Sequence, residues 1–592
     1  MTDGEAARPR HAGLLALVLV VAGFAYGWRA QSVPLEPYYA AAVRAMAGSW
    51  HDFAFGAFDP AGTVTLDKLP GAFWLQALSV RALGVSTWAI VLPQVVEGVL
   101  AVLVLYRIVR RLAGPGAGLI AAAVLAVSPA VVALDRGNIS DSLMILLVLL
   151  AADAVCGALA DGRWWRLVLA GVWVGLAFQA KMLEAWLVLP ALALTYLLAG
   201  PGAIGRRLGQ AVVGGAVAIT VSLSWMVAVS LVPAGSRPYV DGSSGNSLFE
   251  QVFVYNGLGR VGEASPLQVL AGQGIGLVTV GGAPSPVRLF VGDLGHEIGW
   301  LLALALAVVV VGVVVGARGR PRTDRFRAGY LLWGAWLVVL GAAFSATSTI
   351  NGYYTAALAP AVAGIVGIGV VDLRRRESRT PRVVTALLVA ASAAYAAWLL
   401  ASVTLGAPAW LVPAVLVLAA AAAGLLLAGR WVRVGLGVGA VALLLAPTLG
   451  AAEIVARGAG ALDTPFEARE NVVAIDRLFV ATPALVRKTL PGLQEARGGA
   501  PDLLAVQSAA VASVFSYPDG DEVLPIGGFT GTGPSPSLDQ VRAAIAGGQF
   551  HLVLAFPSAD PRIAWIAQHC LPLPDTPPPF HGFYCTPADA AP

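Results

Sequence analysis

Long uninterrupted runs of apolar residues recur along most of the chain. A helix needs about 20 apolar residues, within a range of roughly 17–25, to cross the hydrocarbon core of a bilayer. Runs of this length predict about thirteen membrane-spanning helices. They lie near residues 12–30, 88–108, 116–134, 142–160, 165–181, 184–200, 209–232, 298–317, 328–346, 354–372, 383–404, 409–428 and 432–452.

The positions of the arginines predict how these helices are oriented. Arginines follow every even-numbered span, in groups within residues 107–111, 163–166, 206–207, 318–327, 374–382 and 430–433. Loops rich in Arg and Lys are retained on the cytoplasmic side of a membrane. The N-terminus is therefore predicted inside. A first loop (residues 31–87), a long loop (residues 233–297) and everything after residue 452 are predicted outside.

The sequence changes character after residue 452. Three β-like runs, PDLLAVQS, EVLPIGG and HLVLAF, alternate there with helical stretches, one of them opened by Ser537 with Asp539 in its first turn. We predict a membrane domain over residues 1–452 and a small soluble α/β domain over residues 453–592. The segment GGFTGTG lacks the spacing of a dinucleotide-binding loop and is interpreted as a simple turn.

Composition supports a membrane protein and limits the other classes. The chain has 58% hydrophobic and 12% charged residues, whereas soluble domains carry about 25% charged residues. Its basic residues are not clustered on polar segments that carry aromatic residues, so we expect no nucleic-acid partner. Cys570 and Cys585 are close enough to pair in an oxidising compartment outside the membrane, and two free thiols are the alternative.

Lysine is rare in this chain, and its positions point to an anionic ligand. Only Lys68, Lys181 and Lys488 occur, and the first two fall on the side predicted outside, against the trend of positive residues inside. An ammonium group neutralises a phosphate as a point charge, and arginine grips it bidentately. We predict that Lys68, Lys181, Arg136 and Arg260 bind a phosphate. Snorkelling of the two lysines from helix ends is the alternative.

Carboxylates collect in the first loop. A transfer reaction that releases a phosphate needs a carboxylate that accepts the proton of the incoming hydroxyl, and cations that stabilise the departing phosphate. Glu36, Asp59 and Asp67 are the predicted catalytic acids. Each acid by itself is more often a solvated or helix-capping residue, and only their convergence on one side favours catalysis. A divalent metal ion held by Glu36 and Asp67 stays open as a cofactor.

Several segments together carry a family resemblance. They are EPYYAAAVRAM, SWHDFAFGAFDPAG, VTLDKLPGAFWLQAL, DRGNISDSLM, AKMLEAWLVLPALALTYLL, RPYVDGSSGNS, YNGLGR and YYTAALAPA. In this order they resemble the bacterial GT-C glycosyltransferases of family 39, the protein-mannosyltransferase and aminoarabinose-transferase type. The YkcB-like proteins, which carry a soluble C-terminal domain, are the most similar group.

The resemblance implies a polyprenyl-phosphate sugar donor and an active site in a cavity at the outer face. It makes Glu36 the leading acid, as a base or a metal ligand, and places Lys68 near the donor phosphate. Two positions depart from the family pattern: Leu35 precedes Glu36 where an Asp is common, and Asn351-Gly352 replaces a His or an Asp-Pro. The predicted substrate-binding residues are Tyr38, Tyr39, His51, Asn138, Asp141, Tyr255, Asn256 and Tyr353.

The sequence thus predicts an all-α polytopic membrane domain of GT-C type followed by an α/β domain. The expected reaction is inverting transfer of one sugar from a polyprenyl phosphate to a hydroxyl of a cell-envelope glycan, lipid or protein, in the cytoplasmic membrane. A transporter or flippase of lipid-linked saccharides is the first alternative, but interrupted helices in an internal repeat, typical of that class, are not evident. A non-catalytic scaffold is the second alternative.

Overall fold

The computed structural model describes residues 3–260, 266–274, 281–314, 320–348, 350–375, 378–402, 406–466, 473 and 477–590. Within this part of the chain, ten helical segments are long and apolar enough to cross a membrane. They are Arg10–Ser32, Thr87–Ala113, Asp141–Asp161, Ile204–Ser230, Gly292–Val313, Arg325–Ala346, Gly352–Arg374, Arg379–Ala401, Leu411–Ala428 and Val432–Arg457. The chain is a multi-pass membrane protein.

The three other predicted spans fall on shorter or broken helices. The run 116–134 forms Pro115–Ala126 and Pro129–Leu134, the run 165–181 forms Trp165–Lys181, and the run 184–200 forms Leu183–Trp186 and Leu189–Ala199. Proline lacks an N–H group and fits the first turn of a helix, so Pro129 begins a new helix rather than continuing the preceding one. The helical class of the fold is confirmed, and the number of crossings stays a prediction.

Small residues and polar side chains hold the membrane helices together. A Cβ atom on Gly171 would lie 2.3 Å from the carbonyl oxygen of Gly214, so the helices Trp165–Lys181 and Ile204–Ser230 approach each other through their backbones. Such close approach is common where apolar helices pack in lipid. Gln179 then donates to two carbonyl groups of the second helix, 3.0 Å and 2.7 Å away.

Short helices fill the first loop. They are Pro37–Gly48, Trp50–Phe55 and Gly71–Leu83. The first loop also pairs with the long loop in a parallel β-bridge between Val64 and Tyr239. The long loop also contains short helices, namely Ala234–Ser236, Glu250–Tyr255, Leu258–Arg260, Pro266–Gly272 and Arg288–Phe290. The two loops are therefore in direct contact.

The C-terminal domain contains a five-stranded sheet. Its strands are β1 (Leu504–Gln507), β2 (Val523–Ile526), β3 (Leu552–Ala555), β4 (Leu571–Leu573) and β5 (His581–Tyr584), in the order β2-β1-β3-β5-β4. The strands β1, β2 and β3 run parallel, and β5 runs antiparallel to both β3 and β4. The three predicted β-like runs are β1, β2 and β3. Their apolar residues are buried, except the partly buried Leu554, as in a sheet covered on both faces.

Helices and a disulfide complete this domain. The helices are Thr482–Ala496, Ala509–Asp519, Leu538–Ala546 and Pro561–His569. Ser537 caps the third of them, with Gln540 bonding back to the main chain of Ser537. A disulfide joins Cys570 to Cys585, the pair that the sequence suggests. The last membrane helix runs to Arg457, past the predicted domain boundary at residue 452.

Candidate functional site

Glu36 lies at the start of the first short helix and is held in place by its neighbours. Its Oε2 accepts a hydrogen bond from the Tyr39 amide at 2.8 Å, as a helix cap does. Asn138 bonds both main-chain groups of Glu36, at 2.9 Å and 3.0 Å. Burial raises the pKa of the Glu36 carboxyl to about 7, against the lowering effect of the Tyr38 and Tyr39 amides. The group therefore titrates near neutral pH.

Asp67 and Lys68 form a buried pair next to this helix. The Lys68 ammonium lies 3.5 Å from Asp67 Oδ1, donates to the Tyr39 hydroxyl and lies 4.6 Å from the centre of that ring. The Asp67 amide donates to the Tyr38 hydroxyl at 2.8 Å. Asn256 of the long loop donates to the Asp67 carbonyl at 2.6 Å. Both loops thus fix the main chain beside Lys68.

Lys181 ends the helix Trp165–Lys181 and forms a second buried pair. Its ammonium lies 2.6 Å from Asp141 Oδ2 and 4.5 Å and 5.1 Å from the ring centres of Tyr354 and Tyr353. The next residue, Met182, has a φ of +49° and interrupts the helix there. Such a backbone conformation is strained for a residue with a side chain, and strain of this kind is common at functional sites.

A close contact between two helices brings the two lysines to the same region. A Cβ atom on Gly71 would lie 2.5 Å from the carbonyl oxygen of Gln179. The start of the helix Gly71–Leu83, just after Lys68, therefore lies directly against the end of the helix that carries Lys181. The Glu184 carboxyl is within electrostatic range of both lysines and of Asp141. We call Glu36, Asp67, Lys68, Asp141, Lys181 and Glu184 the acid–lysine cluster.

The phenol groups connect the two parts of the cluster. The Tyr39 hydroxyl is within electrostatic range of Glu36 and Asp67 on one side and of Tyr353 and Tyr354 on the other. The Tyr39 ring also stacks on Phe73, with centres 4.7 Å apart. Of the predicted substrate-binding residues, Asp141 belongs to the cluster, and Tyr38, Tyr39, Asn138, Asn256 and Tyr353 contact or adjoin it.

Arg136 lies between the N-terminal helix and the chain that follows the last membrane helix. It is fully buried, and its guanidinium donates to the carbonyls of Ala25, Tyr26 and Trp28 and, at 3.0 Å, to that of Ala459. These bonds tie the end of the N-terminal helix to the chain that follows the last membrane helix. Burial is also the main cause that lowers the Arg136 pKa, to about 10. These carbonyls occupy Nε and Nη1, whereas Nη2 has no hydrogen-bond partner among the described residues. The phosphate contact of Arg136 stays a prediction, and the proposed phosphate site is built on the two lysines.

Asp59 and His51 also have contacts of their own. The Asp59 carboxylate accepts from the amides of Thr63 and Val64 and so closes a turn in the first loop. It is hydrogen-bonded as well to Glu522 of the C-terminal domain. His51 is half exposed, with Nδ1 3.2 Å from the carboxylate of Asp52. These contacts support structural roles for both residues.

Two further predicted residues lie at the long loop. The Tyr255 ring packs against Gly242, where a Cβ atom would lie 2.7 Å from the ring. The side chain of Arg260 lies outside the described residues. Its predicted phosphate contact stays a prediction.

One buried acid near the cluster escaped the sequence interpretation. Asp241 Oδ2 accepts from the Tyr38 hydroxyl at 3.4 Å and from the Phe529 amide at 2.8 Å. Burial raises the Asp241 pKa to about 7, and the nearby Asp67 charge acts in the same direction. Asp241 stands in the segment RPYVDGSSGNS, but that segment alone does not distinguish it from the other polar loop residues. Phe529 belongs to the segment GGFTGTG, which the sequence suggests is a simple turn. Through its bond to Asp241, this segment also contacts the membrane domain.

The described residues contain no preformed site in which protein side chains alone would hold a divalent metal. In this part of the chain, no group of three or more His, Cys, Asp or Glu side chains is arranged to hold one. Of the two acids predicted as ligands, Glu36 caps a helix and Asp67 faces the ammonium of Lys68. A cation beside Asp67 already supplies the positive charge that a metal would bring. We derive no step through a metal.

Comparison with known proteins supports the family resemblance. Residues 67–226 match the family described as "Dolichyl-phosphate-mannose-protein mannosyltransferase", and residues 490–569 match "Putative mannosyltransferase YkcB-like, C-terminal". Two proteins of Bacillus subtilis are each 31% identical to this chain. They are "Putative mannosyltransferase YycA", aligned over 435 residues, and "Putative mannosyltransferase YkcB", aligned over 445 residues. The resemblance is confirmed. The matched region is 61% of this chain and spans 64% and 62% of the two relatives, less than two thirds of either.

Solved structures show the same fold at low sequence identity. ArnT from Cupriavidus metallidurans in the apo state aligns with a TM-score of 0.58 and 18% identity, over 99% of this chain and 100% of that one. The same protein bound to undecaprenyl phosphate aligns with a TM-score of 0.55 and 17% identity, over 98% of this chain and 99% of that one. The apo oligosaccharyltransferase of Archaeoglobus fulgidus aligns with a TM-score of 0.52 and 14% identity, over 92% of this chain and 69% of that one. The chain has a GT-C fold.

Proposed function

We propose that this protein is a membrane glycosyltransferase that moves one sugar from a polyprenyl phosphate to a hydroxyl of a cell-envelope acceptor. The observation that carries the proposal is the acid–lysine cluster, in which two buried ammonium groups and several carboxylates lie together. A sugar transfer needs both kinds of group at one place. The family resemblance and the undecaprenyl phosphate in one ArnT structure support the donor class.

The proposed step is a direct displacement at the anomeric carbon of the sugar. The Glu36 carboxylate takes the proton of the acceptor hydroxyl, and the acceptor oxygen forms a bond to that carbon. The bond from the carbon to the phosphate oxygen breaks, and its electron pair leaves with the polyprenyl phosphate. Attack opposite the leaving group inverts the configuration. A base with a pKa near 7 is well matched to neutral conditions, and Asp67 is the alternative base.

The lysines are proposed to hold the phosphate. The donor phosphate gains one negative charge as it leaves, so cations fixed around it stabilise the transition state more than the ground state. Each ammonium has three N–H donors. Lys68 donates to Tyr39 and Lys181 donates to Asp141, which leaves further donors for phosphate oxygens. Because both side chains are buried, their charges act in a medium of lower polarity than water.

We propose that the reaction takes place at the outer face of the cytoplasmic membrane, because the arginine-rich loops are predicted at the opposite ends of the helices from the first loop. Tyr39, Tyr353 and Asn256 border the cluster and are the proposed contacts for the sugar and the acceptor, whereas the fully buried Tyr38 holds the Asp67 amide. The acceptor class, a glycan, lipid or protein, follows from the expected location at the cell envelope.

The test is transfer by the purified protein from radiolabelled polyprenyl-phosphate sugars to cell-envelope acceptors. We expect turnover by the wild type and a loss of at least about 100-fold in kcat for Lys68→Met and for Lys181→Met. Lys488→Met is the matched control, since the third lysine is exposed on the helix Thr482–Ala496 of the C-terminal domain. Absence of turnover with every donor would refute the proposal. A flippase would move the labelled lipid without breaking its sugar–phosphate bond.

A further inference from the structure

The C-terminal domain reaches the region of the acid–lysine cluster through the glycine-rich loop, residues 527–533. This loop follows β2 at the carboxyl end of the parallel strands, the edge at which open α/β sheets commonly bind ligands. Here that edge faces the membrane domain. The Phe529 amide donates to Asp241 at 2.8 Å, and the Phe529 ring packs edge-on against Tyr38, with ring centres 4.8 Å apart.

A continuous chain of hydrogen bonds leads from this loop to the cluster. Asp241 Oδ2 accepts from the amide of Phe529 and from the hydroxyl of Tyr38. The same hydroxyl oxygen accepts from the Asp67 amide at 2.8 Å. Tyr38, Asp67 and Asp241 are all buried, so water does not compete freely for these groups. The position of Asp67, and with it that of Lys68, therefore depends on a contact made by the C-terminal domain.

Arg44 makes a second contact between the membrane domain and the C-terminal domain. Arg44 of the helix Pro37–Gly48 donates to the carbonyls of Tyr517, Pro518 and Asp519, at 2.9 Å, 2.8 Å and 2.6 Å. These are among the last carbonyls of the helix Ala509–Asp519, which lack partners within the helix. The same helix that begins after Glu36 is thereby attached to the C-terminal domain at its other end.

The loop fits Asp241 so closely that only glycine is tolerated at one position. Gly528 has a φ of +63°, and a Cβ atom on it would lie 1.9 Å from Asp241 Oδ1. Any side chain there must displace the carboxylate or the loop. Gly498 has a nearly equal φ of +61°, but its nearest neighbour would be 3.9 Å from a Cβ atom. The two glycines therefore share the cost of the left-handed backbone and differ in the contact with Asp241.

We propose that Asp241 is a positioning residue and that the docked C-terminal domain orients the Asp67–Lys68 pair through the glycine-rich loop, Asp241 and Tyr38. The inference rests on the proposed function, in which Lys68 holds the donor phosphate. The C-terminal domain is then a working part of the active site, and transfer requires it to be docked.

The test combines a structural readout with turnover, using the full-length protein. Hydrogen–deuterium exchange of the Asp67 amide reports directly on its bond to Tyr38. We expect this exchange to rise about tenfold in Gly528→Ala and in Tyr38→Phe, the factor that corresponds to about 1.4 kcal/mol for a lost hydrogen bond. Gly498→Ala should stay within about twofold of the wild type, which separates backbone strain from displacement of Asp241.

Turnover provides the second readout. We expect kcat to fall in Gly528→Ala and in Tyr38→Phe while the KM for the acceptor changes little, and the double variant to lose little more than either single one, because both act through one chain of bonds. Unchanged Asp67 exchange in both variants, or additive losses of kcat, would overturn the inference. A wild type with protected Asp67 and no turnover would instead overturn the proposed function.

Discussion

The ion pair of Lys181 and Asp141 allows a sharp test of the phosphate site. The two side chains expose 8% and 1% of their surface, and their charged atoms are 2.6 Å apart. Removing one partner of a buried pair costs about 3–5 kcal/mol, because the other charge stays buried without compensation. We therefore expect Lys181→Met to lower the stability by about 3 kcal/mol, and the double variant Lys181→Met/Asp141→Asn to regain most of it.

Turnover of that double variant distinguishes two roles of Lys181. If the lysine only neutralises Asp141, restoring the stability also restores the activity. If it stabilises the departing phosphate, the double variant folds but loses about 10²–10³ in kcat, which corresponds to about 2.7–4 kcal/mol for one lost electrostatic donor. We expect the second result.

The assay pairs thermal unfolding in detergent with initial rates of sugar transfer, measured on the same preparations. Asp141→Asn alone shows what the carboxylate contributes, and Lys488→Met controls for the loss of a lysine elsewhere. Near-wild-type kcat in the stable double variant would refute the reasoning, since Lys181 would then have no part in holding the donor.

Three further predictions concern other parts of the site. Burial raises the Glu36 pKa to about 7, and the ionised carboxylate is the proposed base, so kcat should rise with pH up to about 7. Glu36→Gln should abolish this rise of kcat with pH and lower the rate by a factor of about 10²–10⁴. Gly71→Ala would place a Cβ atom 2.5 Å from the Gln179 carbonyl oxygen, so we expect the free energy of unfolding, followed by thermal unfolding, to fall by about 1–3 kcal/mol and turnover to fall as well. In the control Gly205→Ala the Cβ atom meets open space, so neither quantity should change. Burial raises the Glu522 pKa from 4.5 to about 10, so the folded protein holds this proton more tightly than the unfolded chain does, and its stability falls as pH rises above 4.5. Glu522→Gln cannot ionise, so this variant should raise the Tm at pH 9 but not at pH 4.

Local properties of the sequence determined the class of the fold. The length of an apolar run decides whether a helix can cross a bilayer, and this needs no knowledge of distant residues. The β-like runs, the helix cap at Ser537 and the pairing of Cys570 with Cys585 were readable for the same reason, since each depends on residues close together in the chain. The prediction that Lys68 and Lys181 serve one site also came from the sequence, because lysine is so rare here.

Tertiary structure decided which charged residues belong together. Arg136 and Lys181 look alike in sequence, as basic residues beside a predicted outer loop, but one is surrounded by main-chain carbonyls and the other by Asp141 and two tyrosine rings. Asp241 became part of the site because Tyr38 and Phe529, both far from it along the chain, donate to its carboxylate. The physical reason is that a hydrogen bond or an ion pair acts over a few ångströms in space. Separation along the sequence carries no information about such a contact until the chain has folded.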